Sequence, residues 1–309
     1  MATQTLAVLT AENKTFYDKT LLSRLLPNLV YAKYGQKRNL PKHEGDTINF
    51  RRFNSLSAAT TPLTEGTTPS GSALSVTAIT ATVAQYGDFI KGSDKLDLLG
   101  IDPVITESAA LAGEQSALTI DTVTRDVVRQ GTTVIRPNNR ATIDAITASD
   151  KLTSAEIKLA VKKLRKANVK PAEGKFYIGI IDPETAYDLQ GDSAWQDLSK
   201  YNGGIAIMEG EIGCIHGVRF IETSNVYAAN NAADTPVKVH HTVIFGKDAY
   251  GCIDVAGEGN RPSVIIKAPG SAGTADPLDQ VWSVGWKANY TAKRLDENAI
   301  VRIEHAATE

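Results

Sequence analysis

The residues best suited to hold a metal are five histidines, His43, His216, His240, His241 and His305, and two cysteines, Cys214 and Cys252. Cys214-Ile215-His216 sets two such ligands two positions apart. Zinc takes three or four, and no second pair stands at finger spacing. His240 and His241 are adjacent, and neighbouring strand residues point to opposite faces, so they do not readily share one ion. We read them as a solvated pair at a strand start. Two cysteines cannot build a disulfide framework; they read as buried small hydrophobes of a reducing compartment. No metal and no cofactor is expected.

Nucleophile and nucleotide chemistry fare no better. There is no G-x-S-x-G elbow, P-loop or dinucleotide fingerprint. Gly246-Lys247 lacks the upstream glycine and the following hydroxyl residue, and Pro262 stands where a third glycine would follow Gly257 and Gly259. Asp182 and Glu184 flank Pro183 at a helix start, which is capping and macrodipole chemistry. Lys158, Lys162, Lys163, Arg165, Lys166 and Lys170 are read as the solvated face of a helix. The functional alternative is a patch touching enclosed nucleic acid or a partner. Asn13-Lys14-Thr15 and Asn289-Tyr290-Thr291 match the glycosylation pattern but carry no meaning without export. No catalytic residue is expected.

The chain of 309 residues is long enough for one large domain or two modest ones, with 42% hydrophobic and 22% charged residues. Its 33 basic and 35 acidic side chains give a net charge of -2, which disfavours dedicated phosphate-gripping nucleic-acid binding. No signal peptide and no run of about 20 apolar residues is visible, so neither secretion nor a membrane is expected.

The elements follow from periodicity. Phe16, Leu21, Leu22, Leu25 and Leu26 recur near helical spacing before Pro27, within an N-terminal arm. The stretch from Tyr31 to Pro41 has little periodicity. Such an arm lies across a neighbouring surface or packs on its own chain. Gly45-Asp46 opens a strand in which Ile48 and Phe50 alternate with polar residues. From Phe53 to Ile90 there is no Lys or Arg, thirteen residues are Ser or Thr, and the only charges are Glu65 and Asp88. Turn chemistry in the middle predicts a long hairpin, out along 46–60 and back along 73–90, reaching on the order of 60 Å. Such a ribbon is marginal alone and exposes its edges, so it calls for a covering partner.

A long helix is predicted over 102–130, with Asp102 as N-cap, Pro103 in the first turn and Gly131 as its end. Its apolar stripe is Val104, Leu111, Leu118, Ile120, Val123 and Val127, with Asp121 and Arg125 as an i,i+4 pair. Thr153 and Glu156 form a capping box for a helix whose inner face is Ile157, Ala160, Val161 and Leu164. KFYIGII over 175–181 reads as a buried strand. A helix follows from Asp182-Pro183 through Leu189, and a short one around Trp195 to Tyr201. Strands are predicted over 218–223, 242–245 and 263–267. Two longer ones close the chain at 280–293 and 299–304.

This order resembles the tailed-phage major capsid protein family, whose shell fold is shared with encapsulins. Residues 211–223 (EIGCIHGVRFIET), 276–287 (DPLDQVWSVGWK) and 300–304 (IVRIE) look like motifs of one subfamily. The resemblance implies an α+β fold with an N-terminal arm (1–45), an extended β-hairpin loop (46–95), a peripheral domain with a long spine helix (96–149) and an axial α/β domain (150–278). Closing strands over 279–309 would return to the peripheral domain. It also implies self-assembly into hexamers and pentamers of an icosahedral shell around double-stranded DNA, formed in the host cytoplasm and residing in the virion. Expected partners are the chain itself, a separate scaffolding protein (only about 40 residues precede the hairpin), a portal protein, a decoration protein in some shells, and DNA touched non-specifically. Subunit-interface candidates are Phe16, Leu25, Asn54, Glu65, Pro69 and Tyr86. With no Lys in 53–90, a Lys–Asn isopeptide weld from the hairpin is not expected. The alternatives are an encapsulin-type compartment, a soluble hydrolase with an unrecognised site, and a surface fibre protein, which the absent export signal disfavours.

Overall fold

The computed structural model describes residues 29–41, 45–68, 70–100, 102–192, 211–233, 235–255, 263–271 and 276–308. In chain order the helices are α1 Tyr31–Tyr34, α2 Asp94–Leu99, α3 Val104–Val128, α4 Ser154–Lys166 and α5 Pro183–Gln190. The strands are β1 Gln36–Leu40, β2 Thr47–Phe53, β3 Val76–Thr82, β4 Ala84–Ser93, β5 Val134–Ile135, β6 Tyr177–Ile181, β7 Glu211–Ile215, β8 Val218–Glu222, β9 Ala228–Asn230, β10 Lys238–Phe245, β11 Tyr250–Val255, β12 Ser263–Lys267, β13 Val281–Arg294 and β14 Ile300–Ala306. The predicted helix near 195–201 lies outside the described residues, as does His43. None of the described helices is long and apolar enough to cross a membrane.

Three sheets result. In the first, β13 runs down the middle with β4 antiparallel along one edge and β12 then β11 along the other; β1 joins β11 in parallel. The second is a seven-stranded sheet in the order β5-β14-β10-β6-β8-β7, with β9 beside β10. The third is the two-stranded ribbon β2–β3.

The segment from α4 through α5 forms as its pattern dictates. Thr153 and Glu156 close the capping box of α4, and Ile157, Ala160, Val161 and Leu164 are all buried against the sheet. β6 is buried at every residue, as a strand covered on both faces must be. Fully burying each such aliphatic side chain contributes about 1.5–3 kcal/mol before entropy is counted.

The long helix differs from its prediction in two respects. Pro103, not Asp102, is the N-cap, and no side chain caps the first turn. Its buried face is Ser108, Ala112, Ser116, Ile120, Thr124 and Val128, while Leu111 and Leu118 are exposed. The reason is volume. β13 presents Trp282, Trp286 and Tyr290, all buried, and small residues at i+4 spacing let the helix approach these rings. Thr124 Oγ1 lies 2.6 Å from the Tyr290 hydroxyl, and Trp286 Nε1 donates to Gln115 Oε1 at 2.9 Å.

The predicted Asp121–Arg125 pair is replaced by a shared partner. Asn225 Nδ2 donates to Asp121 Oδ2 at 2.9 Å, and Arg125 donates to Asn225 Oδ1 at 2.9 Å. Asp121 Oδ1 also accepts from the Ala32 backbone N–H at 3.1 Å. The closing strands are corrected too. β14 does not join the five-stranded sheet with β13; it fills the place between β5 and β10 in the seven-stranded sheet, because six of its seven residues are buried.

Candidate subunit-contact surfaces

The ribbon is shorter than the sequence predicts. β2 and β3 pair only from Thr47↔Thr82 to Phe53↔Val76, a ladder of roughly 23 Å. The returning run then leaves the ribbon, and β4 pairs with β13 instead. The switch falls where Ala81 becomes buried and Val83 packs beside it with Leu40 and Ile253. At the outer end Asn54 joins the strands, donating to Ser75 Oγ at 3.1 Å and accepting from Thr77 Oγ1 at 2.9 Å. Beyond it the chain runs as an open loop with one turn at Thr64–Thr67, where Gly66 takes φ +76°.

Every described residue from 51 to 76 is exposed. Phe53 is 68% exposed, Leu56 57%, Leu63 77% and Leu74 73%. Large apolar side chains in one projecting segment are not explained by the packing of this chain. The base is anchored: Arg52 forms an ion pair with Asp296, and the Phe50 ring lies where a Cβ on Gly251 would meet it at 2.8 Å. Behind that base is a cleft of about 920 Å³, lined by Arg38, Arg51, Lys170 and Lys247 among others.

Of the predicted interface residues, Asn54 and Glu65 are exposed on the loop. Tyr86 is not on the ribbon. It sits half-buried on β4, packed near Trp282, Val284 and Trp286. Phe16, Leu25 and Pro69 lie outside the described residues. The described end of the arm packs on its own chain: Val30, Tyr31 and Leu40 are buried, and the Tyr250 hydroxyl donates to the Tyr31 carbonyl at 2.7 Å. Leu98, Leu99 and the β12 residues Val264, Ile265 and Ile266 form further exposed apolar surface near the five-stranded sheet, which single-strand periodicity did not reveal.

The basic face of α4 agrees with its reading. Lys158, Lys162, Arg165, Lys166 and Lys170 are exposed, and Lys163 donates to the Val134 carbonyl at 3.2 Å. The histidine tandem does not. His240 and His241 are 1% and 5% exposed, because β10 is a central strand covered on both faces. They do point apart: His241 lies against the Tyr227 ring at 4.9 Å with the ring planes tilted by 59°, and His240 faces Asp182 and Glu184. Burial pushes His241 down to about 3 and His305 to about 4. Burial also raises the Cys252 thiol.

No family model matches the chain, and no curated protein matches it by sequence. Solved structures do. The capsid of Ralstonia phage GP4 superposes with a TM-score of 0.71 at 12% identity, covering 96% of each chain. That decides the fold. This chain has the fold of a tailed-phage major capsid protein. The capsid of cyanophage P-SCSP1u has that fold with a TM-score of 0.70 at 16% identity, over 95% of this chain and 93% of that one. The cyanophage Pam1 capsid follows at 0.69 and 15% identity, over 96% and 97%.

Proposed function

We propose that this protein is a major capsid protein, which assembles with copies of itself into hexamers and pentamers of an icosahedral shell around double-stranded DNA and performs no catalysis. The observation that carries the reading is the exposed apolar hairpin loop from 51 to 76. A solitary subunit gains nothing from it, whereas a shell repeats the contact it makes and sums modest energies over a closed surface. A net charge of -2 fits a wall that encloses DNA rather than a reader of it. On this reading the protein resides in the virion after assembly in the host cytoplasm. Its other partners are a separate scaffolding protein, a portal protein and, in some shells, a decoration protein.

The test is negative-stain electron microscopy with light scattering, on the chain expressed alone and with a scaffold candidate. Closed shells, or rings of five and six, are expected. Deleting residues 55–74 removes no buried side chain among the described residues, so the subunit stays folded by circular dichroism while shells disappear. Shells formed by that deletion variant, or a chain monomeric under every condition, would refute the reading.

A further inference from the structure

Asp182 caps α5 and Glu184 lies in its first turn. β6 delivers them beside β10, because the antiparallel register Val243↔Ile180 sets His240 close to the start of that helix. One ligand atom from each of Asp182, Glu184 and His240 lies within 4.8 Å of the other two. His240 Nδ1 is 2.6 Å from Asp182 Oδ2, and Nε2 is 3.1 Å from Glu184 Oε2. The ring is 1% exposed, yet neither nitrogen makes a hydrogen bond of acceptable geometry. A buried imidazole in close contact with two carboxylates yet without a well-aligned hydrogen bond to either is unusual, since buried polar atoms are nearly always satisfied in good geometry.

We propose that Asp182, Glu184 and His240 form a binding site for a first-row divalent cation, with zinc the best match. One imidazole and two carboxylates are a donor set for zinc rather than for magnesium or calcium, which take oxygen alone. Outer partners orient the carboxylates. The Thr185 hydroxyl donates to Asp182 Oδ1, and Lys238 Nζ donates to Glu184 Oε1 and Oε2 at 2.9 and 3.0 Å, as second shells of metal sites do. His305 stacks on His240 with centroids 6.1 Å apart, but its nitrogens face Thr242 Oγ1 and the Ala306 carbonyl, so it is not a ligand. The Glu184 side chain is 35% exposed and gives the ion a way in. The competing occupant of the same space is a proton on His240, which would hold both carboxylates as an imidazolium. Lys238 also competes for Glu184. The ion would pin the first turn of α5 to β10. This holds whether or not the protein builds shells.

The test uses the full chain, stripped with a chelator and dialysed, then titrated with zinc alone by calorimetry at pH 7 and pH 5.5, with retained metal counted by mass spectrometry. One zinc per chain is expected, bound more weakly at pH 5.5 because the imidazole must be unprotonated. E184Q and H240Q should weaken it at least tenfold, and K238M should tighten it. A C214S/H216A variant should bind like wild type. Glu184 sits at the surface end of the cluster, so E184Q stays interpretable should H240Q misfold by circular dichroism. Failure of the wild type to retain one zinc overturns the proposal and leaves His240 as the proton-bearing partner. So does E184Q binding at wild-type strength, or loss of binding in C214S/H216A.

Discussion

Replacing Asp150 with Asn tests how a buried carboxylate holds the loop between α3 and α4. The side chain has no accessible surface. Thr147 donates to Oδ2 from its backbone N–H at 2.8 Å and its hydroxyl at 2.9 Å, Arg140 Nε donates to Oδ2 at 2.9 Å, and Asn138 Nδ2 donates to Oδ1 at 2.6 Å. Burial works to raise its pKa, but these donors outweigh it and hold the group at about 2. Against an unfolded value near 3.9, that is about 2.6 kcal/mol of stability at neutral pH. Its partner Arg140 is about a third exposed, so screening leaves between about 1 and 2.5 kcal/mol. The folded pKa is depressed, so this contribution is fully present above about pH 4 and fades as the pH falls toward 2. Urea unfolding of the unassembled subunit, followed by tryptophan fluorescence at pH 7, 5, 4 and 3, measures it. The gap between wild type and D150N should hold from pH 7 to 5 and shrink to about half by pH 3. A gap that stays constant down to pH 3 would refute the argument, because the lost contacts would then owe nothing to ionisation.

Three further outcomes are expected. G92A should cost about 3 kcal/mol or more and lower the melting temperature by several degrees, since a Cβ there would meet the Trp282 ring at 2.2 Å. D121A strands the donors Ala32 N and Asn225 Nδ2 and should cost about 2–4 kcal/mol; limited proteolysis should then cut faster near Val30–Tyr34. Because residues 53–90 contain no lysine, shells boiled in detergent should run as a single monomer band. A ladder would show covalent welding by another route.

Much of this architecture is legible in the sequence. The capping box of α4, its inner face and the all-apolar strand β6 each follow from local pattern, and local pattern is what decides them. The long helix α3 is legible in the sequence but its inner face is not. Periodicity ranks Leu111 and Leu118 as core, whereas the tryptophans of β13, distant in sequence, leave room only for Ser and Ala. The hairpin was found but drawn too long, because β-branched residues continue from β3 into β4 and nothing local marks the change of partner. The Asp182–Glu184–His240 cluster was unreadable as a site: its members are some 56 positions apart, and the strand that buries His240 on both faces is itself buried by chain from elsewhere. A histidine tandem inside an apolar strand, KVHHTVIF, was the one available signal.

The path of the chain through β3, β4 and β13 has a mechanical consequence. A neighbour that grips the hairpin loop pulls on β3, and the pull passes directly into β4. That strand is joined to β13 by register pairs running from Ala84↔Tyr290 to Ser93↔Val281. A load directed along β4 would shear this ladder as a unit rather than unzip it one bond at a time. β13 then leads into β14, inside the largest sheet. Tension applied at the most exposed segment is therefore delivered to the best-buried part of the molecule, as a rope is made fast to a keel.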